Sequence, residues 1–367
     1  MRRIIAAHAA LLLGVSLAGA ACAQDDLVAR AQAELDQHRN IPDFEAPGEP
    51  FDARACMAGK KILSIPASSA IPFINTINQN IEEIAQEIGF TYDVWENQGQ
   101  VSQWVQGMDR GATGGYDLVE LLAGADPRSL GPQAAAIQTA GGQVIASHLT
   151  GFEQGVPEGI DGVVPIDYKR AGELLAWWTI AQTGGQTNAL VLVSNEALST
   201  DSMVAGLAEV FDAECPDCKY NIVNVPIPDW ATRIQPTVQS SLIADPSINY
   251  VVPIYDSMSQ FAVPALTITG RSEDVKIATF NGTPFVIGMI QEGQVEMDVG
   301  ENLDWIAHGI ADSHMRRLCG LEVPADPKIP LMIFDASNAE TAGVPPEASR
   351  GYGEAYQPGF RGLWMLE

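Results

Sequence analysis

Seven side chains that could contact a small molecule stand where predicted strands end. The set combines three aromatic rings with an imidazole, a carboxamide and two carboxylates: Phe73, His148, Trp230, Tyr255, Asp256, Asn281 and Glu301. Aromatic faces can stack on a ring, and the polar groups can donate or accept hydrogen bonds. In open α/β sheets, ligands bind beyond the carboxyl ends of the strands. The sequence therefore predicts one ligand-binding site built from several strand ends.

No residues stand at the spacing of a catalytic or cofactor motif. The sequence has no Gly-x-Ser-x-Gly elbow, no Gly-x-x-x-x-Gly-Lys phosphate loop, no His-Glu-x-x-His and no Gly-x-Gly-x-x-Gly. His308 and His314 are six residues apart on a predicted helix, which places them on different faces. We therefore predict a binding protein, and neither an enzyme nor a protein with a metal or cofactor.

The charge balance argues against nucleic acid as a partner. The 367 residues include 20 Lys and Arg against 46 Asp and Glu, and the formal net charge is −26. Nucleic-acid binding needs clustered basic side chains that neutralise phosphates. No basic cluster here exceeds two adjacent residues. The acidity instead favours an exported protein that the charge keeps soluble.

The first 23 residues have the features of a signal peptide. Arg2 and Arg3 precede an apolar run from Ile4 to Leu17, and Ala21-Cys22-Ala23 forms an Ala-x-Ala cleavage site. The run is too short and too rich in alanine for the roughly 20 residues of a membrane span. We predict cleavage before Gln24 and a periplasmic protein. A lipoprotein anchored through Cys22 is the open alternative.

The remaining cysteines fit an oxidising compartment. Cys56, Cys215, Cys218 and Cys319 allow three pairings. Cys215-Pro-Asp-Cys218 has the spacing of a redox motif or half a zinc site. Because the chain has no second Cys-x-x-Cys and no nearby histidine, a local structural disulfide is favoured there.

Strands and helices are predicted to alternate in two runs. The first begins with strand Lys61–Pro66 and ends with Val144–Ser147; the second begins near Asp167 and ends with helix Leu303–Cys319. Alternating units of this kind form parallel sheets covered by helices on both faces. The predicted fold class is α/β, with two doubly wound, Rossmann-like lobes.

These patterns divide the chain into five parts. They are a signal peptide (1–23), an extension outside the first lobe (24–56), lobe one (57–165 and 301–333), lobe two (166–300 and 334–345), and a C-terminal tail (346–367) whose aromatic residues strap the lobes together.

Several motifs of the second run resemble those of one transporter family. Asp229-Trp230, Tyr255-Asp256-Ser257-Met258 and Phe280-Asn281-Gly282-Thr283-Pro284 follow the order found in the ribose-binding type of ABC-transporter solute-binding protein. The resemblance implies a type I periplasmic binding protein: a monomer of two lobes joined by a three-segment hinge, which closes on a sugar or polyol and docks on the permease transmembrane subunits. A sensor that presents its ligand to a membrane receptor is the alternative. The resemblance also implies that helix Leu303–Cys319 returns to lobe one, so Cys56 is expected to pair with Cys319 and Cys215 with Cys218.

The sequence departs from this family at positions that usually contact sugars. Ile71 stands where sugar-binding members usually have Asn, Leu149 where they have Arg, and Asn281 where they have an acid. Charged partners for sugar hydroxyl groups are therefore largely missing. Binding of a less hydroxylated solute, either a small aromatic or an apolar one, stays open.

Overall fold

The computed structural model describes residues 24–124 and 126–366; the predicted signal peptide lies outside them. The first sheet has the order β2-β1-β3-β4-β5, and all of its strands are parallel. Its strands are β1 (Lys61–Pro66), β2 (Thr91–Val94), β3 (Leu118–Leu122), β4 (Gln143–Ser147) and β5 (Gly162–Val164). Strand β5 was absent from the sequence prediction.

The second sheet has the order β11-β10-β9-β8-β6-β7 and is parallel except for its edge strand β11. Its strands are β6 (Asn188–Val193), β7 (Lys219–Asn224), β8 (Tyr250–Pro253), β9 (Lys276–Asn281), β10 (Met297–Glu301) and β11 (Leu331–Asp335). All of β11 pairs with β10, which ends at Glu301. Residues 331–333 and Glu301, which were assigned to lobe one, therefore lie in the second lobe.

Twelve α-helices cover the two sheets in the described part of the chain. They are α1 (24–36), α2 (Ala53–Met57), α3 (Pro72–Ile88), α4 (Val101–Thr113), α5 (Gly131–Thr139), α6 (Tyr168–Thr183), α7 (Ser199–Glu214), α8 (Trp230–Ala244), α9 (Ser259–Thr269), α10 (Pro284–Gln291), α11 (Leu303–Leu318) and α12 (Tyr356–Leu363). Apolar side chains of α3 at helical spacing, such as Ile77, Ile81 and Ile84, pack with Ile306 and Ile310 of α11 in the first core. This is the predicted α/β fold of two doubly wound lobes.

The chain passes between the lobes at three places inside this fold. It leaves the first sheet after β5 and enters the second lobe at α6, which packs against α7 and β9. It returns between β10 and α11, because α11 packs on α2 and α3. It crosses a third time between α11 and β11. Three crossings form a hinge about which two lobes can open and close.

The two ends of the chain make further connections between the lobes. Ala31 and Leu35 of α1 are fully buried in the core of lobe two, and the His38 backbone oxygen accepts a hydrogen bond from Ile333 in β11. The prediction that this extension packs outside the first lobe is therefore wrong for α1. Further along the extension, Phe44 and Phe51 do pack on lobe one.

The C-terminal tail also touches both lobes. Tyr352 is buried in the second lobe beside Phe334, whereas Tyr356, Phe360 and Trp364 are buried in the first. The Phe51 amide donates to the backbone oxygen of Leu363 at 2.9 Å, which ties the extension to the tail.

The four described cysteines lie in two pairs. Cys56 and Cys319 have Cα atoms 5.7 Å apart, and those of Cys215 and Cys218 are 5.3 Å apart; both pairs are placed as disulfides. The first pair joins the segment before β1 to the end of α11. No described helix has the length and hydrophobicity needed to cross a membrane.

Candidate functional site

A small cavity of about 430 Å³, part of it open to solvent, lies between the lobes. Residues from both sheets line it: Ala67, Ile71, Phe73, Ile74, Ala123, His148, Tyr168, Ala197, Ser199, Ile227, Trp230, Tyr255, Ser257 and Asn281. Nearly all of them follow the carboxyl end of a strand, where parallel sheets place their ligands. Five of the seven predicted site residues are in this set: Phe73, His148, Trp230, Tyr255 and Asn281.

Phe73 belongs to the wall that lobe one contributes. Strand β1 ends at Pro66, and α3 begins at Pro72, whose fixed φ suits the first turn of a helix. Ile71 precedes the helix in an extended conformation and makes no side-chain cap. The ring of Phe73 lies 4.9 Å from that of His148, measured between centroids. The sequence around Pro72 thus places an aromatic face and an aliphatic side chain at the cleft.

His148 joins the two lobes. It follows β4 in lobe one, and its Nε2 atom lies 2.8 Å from a carboxylate oxygen of Glu301, the last residue of β10 in lobe two. The Tyr168 hydroxyl contacts Nδ1 of the same ring and lies 2.8 Å from the His148 backbone oxygen. The Glu301 contact fits an imidazole that donates from Nε2 to the carboxylate, and the Tyr168 hydroxyl donates to the His148 backbone oxygen. Both ring nitrogens are therefore held by lobe-two side chains.

Trp230 is part of the lobe-two core as well as the cavity wall. Only 7% of its surface is exposed, and its Nε1 donates to Ser194 Oγ at 2.9 Å and the Val225 oxygen at 3.1 Å. The indole stacks on Tyr255 with centroids 6.2 Å apart. Trp230 therefore lines the cavity as predicted, and its removal would also break buried hydrogen bonds.

The hydroxyl group of Tyr255 is already bonded to the protein. It lies 2.8 Å from Ser199 Oγ and 2.9 Å from Thr200 Oγ1, at the start of α7. Burial is the main reason that the pKa of Tyr255 rises to about 12. Tyr255 therefore offers the cavity a neutral ring, and its polar atom is occupied.

Asn281 stands at the end of β9 with an unusual backbone conformation. Its φ is 147°, and Gly282 follows with φ 78°. A Cβ atom on Gly282 would lie 2.8 Å from the Gly300 Cα and 2.3 Å from the Tyr352 hydroxyl, so only glycine fits there. Asn281 is 4% exposed, and its carboxamide has no hydrogen-bond partner among the described residues.

Strained backbone positions gather at this cavity. Of the five non-glycine residues with positive φ in the described chain, three line it: Ala123 at 48°, His148 at 51° and Asn281 at 147°. Such conformations persist where the surrounding structure enforces them, and they cluster at ligand sites. Their convergence from three different strand ends supports this cavity as the functional site.

Asp256 and Glu301 do not line the cavity. Their carboxylates hydrogen-bond residues in or next to its wall. Asp256 accepts a hydrogen bond from the Thr283 amide at 2.7 Å and so fixes the loop after Asn281. Burial raises the pKa of Asp256 to about 7, and burial together with the Asp256 charge raises the pKa of Asp298. Glu301 bonds His148. Neither carboxylate faces the cavity in this closed arrangement.

Sequence reasoning missed most of the apolar lining. Ile74, Tyr168 and Ile227 line the cavity without having been candidates, and Ile71 was noted only as a departure from a sugar site. Ile71 and Ile227 come from opposite lobes, yet each packs against the cores of both. The one available signal was their position beside Pro72 and Pro228, where helices begin. No described cluster of His, Cys, Asp and Glu could hold a metal ion.

Residues 62–321 match the family model of the periplasmic binding protein domain. Because the match covers more than half of the chain, the chain belongs to this family, whose two-lobed fold the structure has.

Solved structures similar to this chain are sugar-transport proteins. A sugar ABC transporter protein from Yersinia enterocolitica superposes with a TM-score of 0.71 at 16% identity, covering 88% of this chain and 99% of that one. An ABC sugar transporter subunit from Rhodobacter sphaeroides gives 0.68 at 18%, covering 77% and 100%. The Caulobacter myo-inositol binding protein gives 0.68 at 16%, covering 79% and 96%. At such identities the likeness establishes the fold. No curated protein matches the sequence.

Proposed function

We propose that this chain is the periplasmic solute-binding component of an ABC importer. It closes its two lobes on a small neutral solute and delivers that solute to the permease transmembrane subunits. The observation that carries the proposal is a single cavity with walls from both lobes, at the strand ends of both sheets. A solute that contacts both walls favours the closed form, because only a difference in affinity between two states shifts their equilibrium.

Contacts across the cleft are consistent with closure as the working motion. The Gln154 amide, which follows β4, donates to the Leu198 oxygen at 2.8 Å, and Ser202 of α7 bonds Glu153. These partners come from different lobes and lie near the cavity. Opening the hinge would break them together with the bond between His148 and Glu301.

The site supports binding without catalysis. The imidazole of His148 is held by Glu301 and Tyr168, and the hydroxyl of Ser199 is bonded to Tyr255. In the described chain, no serine or threonine that lines the cavity contacts that imidazole. Ser147 and His314 lie 3.0 Å apart, but both are buried and neither lines the cavity.

The family resemblance makes a sugar or polyol the first class of solute to consider. Myo-inositol and D-allose are named for two of the similar structures. The mature chain is expected to begin at Gln24, to be periplasmic and to act as a monomer. The two cysteine pairs are expected to form disulfides in it.

A transport assay tests the importer role. Purified residues 24–367 are added to proteoliposomes that contain the permease and ATPase subunits of a candidate importer from the same organism, with candidate solutes present. We expect the protein to stimulate ATP hydrolysis, and the matched variant Phe73→Ala to stimulate it less at the same solute concentration. A protein that binds solute but never stimulates hydrolysis would contradict the importer role and favour the sensor.

A further inference from the structure

The cavity between the lobes is lined almost entirely by apolar groups. Three isoleucines and three alanines line it together with the rings of Phe73 and Trp230. No Asp, Glu, Lys or Arg is among the lining residues in the described chain. A charged solute would lose its hydration there without gaining a counter-ion, which is strongly unfavourable. The site is therefore built for a neutral solute.

Most polar atoms at the cavity are already bonded to other protein atoms. The Tyr255 hydroxyl bonds Ser199 and Thr200, and the two ring nitrogens of His148 bond Glu301 and Tyr168. Ser257 Oγ donates to Asp256 at 3.2 Å. Each of these groups would have to give up a partner before it could donate to a solute.

The carboxamide of Asn281 differs from these groups. Asn281 is more than nine-tenths buried, lines the cavity, and has a side chain with no partner among the described residues. A carboxamide supplies both donors and an acceptor. A solute that enters the cavity would displace any water from this carboxamide, so the solute is expected to supply a hydrogen-bond partner in its place. One polar group on the solute, next to Asn281, satisfies that need.

We infer that this cavity selects a neutral solute with an apolar body and a single hydroxyl or carbonyl group, such as a cyclic or benzylic alcohol or ketone. The inference rests on the proposed solute-binding function and narrows it. The apolar body packs between Phe73 of lobe one and Trp230 of lobe two. Its polar group hydrogen-bonds the Asn281 carboxamide.

The same chemistry disfavours a sugar. A hydroxyl that is buried without a partner loses its hydrogen bonds to water. A hydrophobic pocket binds a solute with one extra hydroxyl group about 100-fold more weakly than the matching solute without it. A sugar or inositol carries several hydroxyl groups around its ring, and one free carboxamide cannot pair with them all. Ile71 and Leu149 supply no partner where sugar-binding relatives have polar side chains.

A matched pair of ring compounds and three further solutes test the inference on purified residues 24–367. Cyclohexanol and myo-inositol share a six-carbon ring but carry one and six hydroxyl groups. Benzyl alcohol adds an aromatic ring with one hydroxyl group, D-glucose adds a sugar, and cyclohexanone tests a carbonyl. Thermal shift and titration calorimetry measure binding. We expect the one-hydroxyl or carbonyl compounds to raise the melting temperature, and myo-inositol and D-glucose to bind at least 100-fold more weakly.

Two variants connect binding to the named groups. Asn281→Leu should weaken alcohol binding at least tenfold, whereas Asn221→Leu, on the exposed surface of β7, should not. Ile71→Asn adds a carboxamide to the lobe-one wall and should narrow the difference between cyclohexanol and myo-inositol.

Three outcomes would overturn the inference. Tighter binding of myo-inositol or D-glucose would refute it while leaving solute binding by the cleft intact. Unchanged alcohol affinity in a folded Asn281→Leu variant would refute the role of the carboxamide. Absence of stabilisation by every apolar member of the panel would refute the solute class, and the proteoliposome assay would then test the importer role independently.

Discussion

His148 and Glu301 form a buried bond between the lobes, with Nε2 and a carboxylate oxygen 2.8 Å apart. Both side chains are at most 3% exposed. One follows a strand of the first sheet and the other ends a strand of the second. Because the bond lies beside the cavity, we expect it to form when the lobes close and to break when they open.

Removing the carboxylate should weaken solute binding. Glu301→Ala leaves the imidazole with an unpaired buried nitrogen in the closed form, and such a loss costs about 1–3 kcal/mol. At about 1.4 kcal/mol per decade, we expect a roughly five- to 140-fold loss of affinity by calorimetry. The control is Glu273→Ala, which removes an exposed carboxylate from the same lobe. Equal affinities for the two variants would show that the bond does not contribute to closure.

Truncating Trp230 should lower both stability and affinity. The indole is buried in the lobe-two core and makes two hydrogen bonds through Nε1. Trp230→Ala should reduce the free energy of unfolding by about 3–5 kcal/mol, measured with urea on the ligand-free protein. The free energy of unfolding of Phe73→Ala, measured in the same way, gives the comparison for an aromatic residue of the lobe-one wall. Full stability of Trp230→Ala would contradict the structural role of this residue.

Glu120 should give the protein a pH-dependent stability. It lies in β3 with no exposed surface, and burial raises its pKa to about 7 from an ordinary value of 4.5. The folded state thus holds a proton that the unfolded state has lost, so stability falls as pH rises from 4.5 to 7. At about 1.4 kcal/mol per pH unit, the fall is on the order of 3 kcal/mol.

Glu120→Gln should remove this fall. Urea unfolding at pH 5 and pH 8 should show the variant gaining stability relative to the wild type at the higher pH. Glu83→Gln, exposed on α3, should follow the wild-type profile. Burial lowers the pKa of His314 to about 3. Below pH 6.5 the unfolded state therefore takes up a proton that the folded state does not, so His314 lowers the free energy of unfolding as pH falls. This effect is opposite to that of Glu120. If the free energies of unfolding of Glu120→Gln and the wild type differ by the same amount at pH 5 and pH 8, the raised pKa of Glu120 is refuted.

The C-terminal tail should contribute to the core of lobe one. Trp364 is 1% exposed, and its Nε1 donates to Asp312 at 2.9 Å. Its ring stacks on His308 with centroids 5.4 Å apart. Trp364→Ala should cost about 3–5 kcal/mol of unfolding free energy. The neighbouring Met365→Ala, at a side chain 60% exposed, should cost little, and equal effects would contradict the packing described.

The sequence predicted those features that depend on local pattern. Pro72 and the isoleucines of α3 indicated a helix after β1, and strand ends indicated where Phe73, His148 and Asn281 would meet. Features that depend on contacts between distant parts of the chain have no local sequence pattern. The bond between His148 and Glu301 and the approach of Ile227 to lobe one depend on how the lobes close. The packing of α1 on lobe two depends on contacts between residues far apart in the sequence. Strand β5 has only three residues, too few for a periodic pattern.

Closure on a solute is the central claim, and a distance between the lobes tests it most directly. Spin labels at Ser102→Cys on α4 and Thr232→Cys on α8 place probes on exposed positions of opposite lobes. Double electron–electron resonance spectroscopy then gives the distribution of distances between the two labels, with and without cyclohexanol, benzyl alcohol, D-glucose or myo-inositol. We predict that a solute which raises the melting temperature also narrows and shortens this distribution, and that Phe73→Ala reduces the change. A stabilising solute that leaves the distribution unchanged would contradict binding between the lobes.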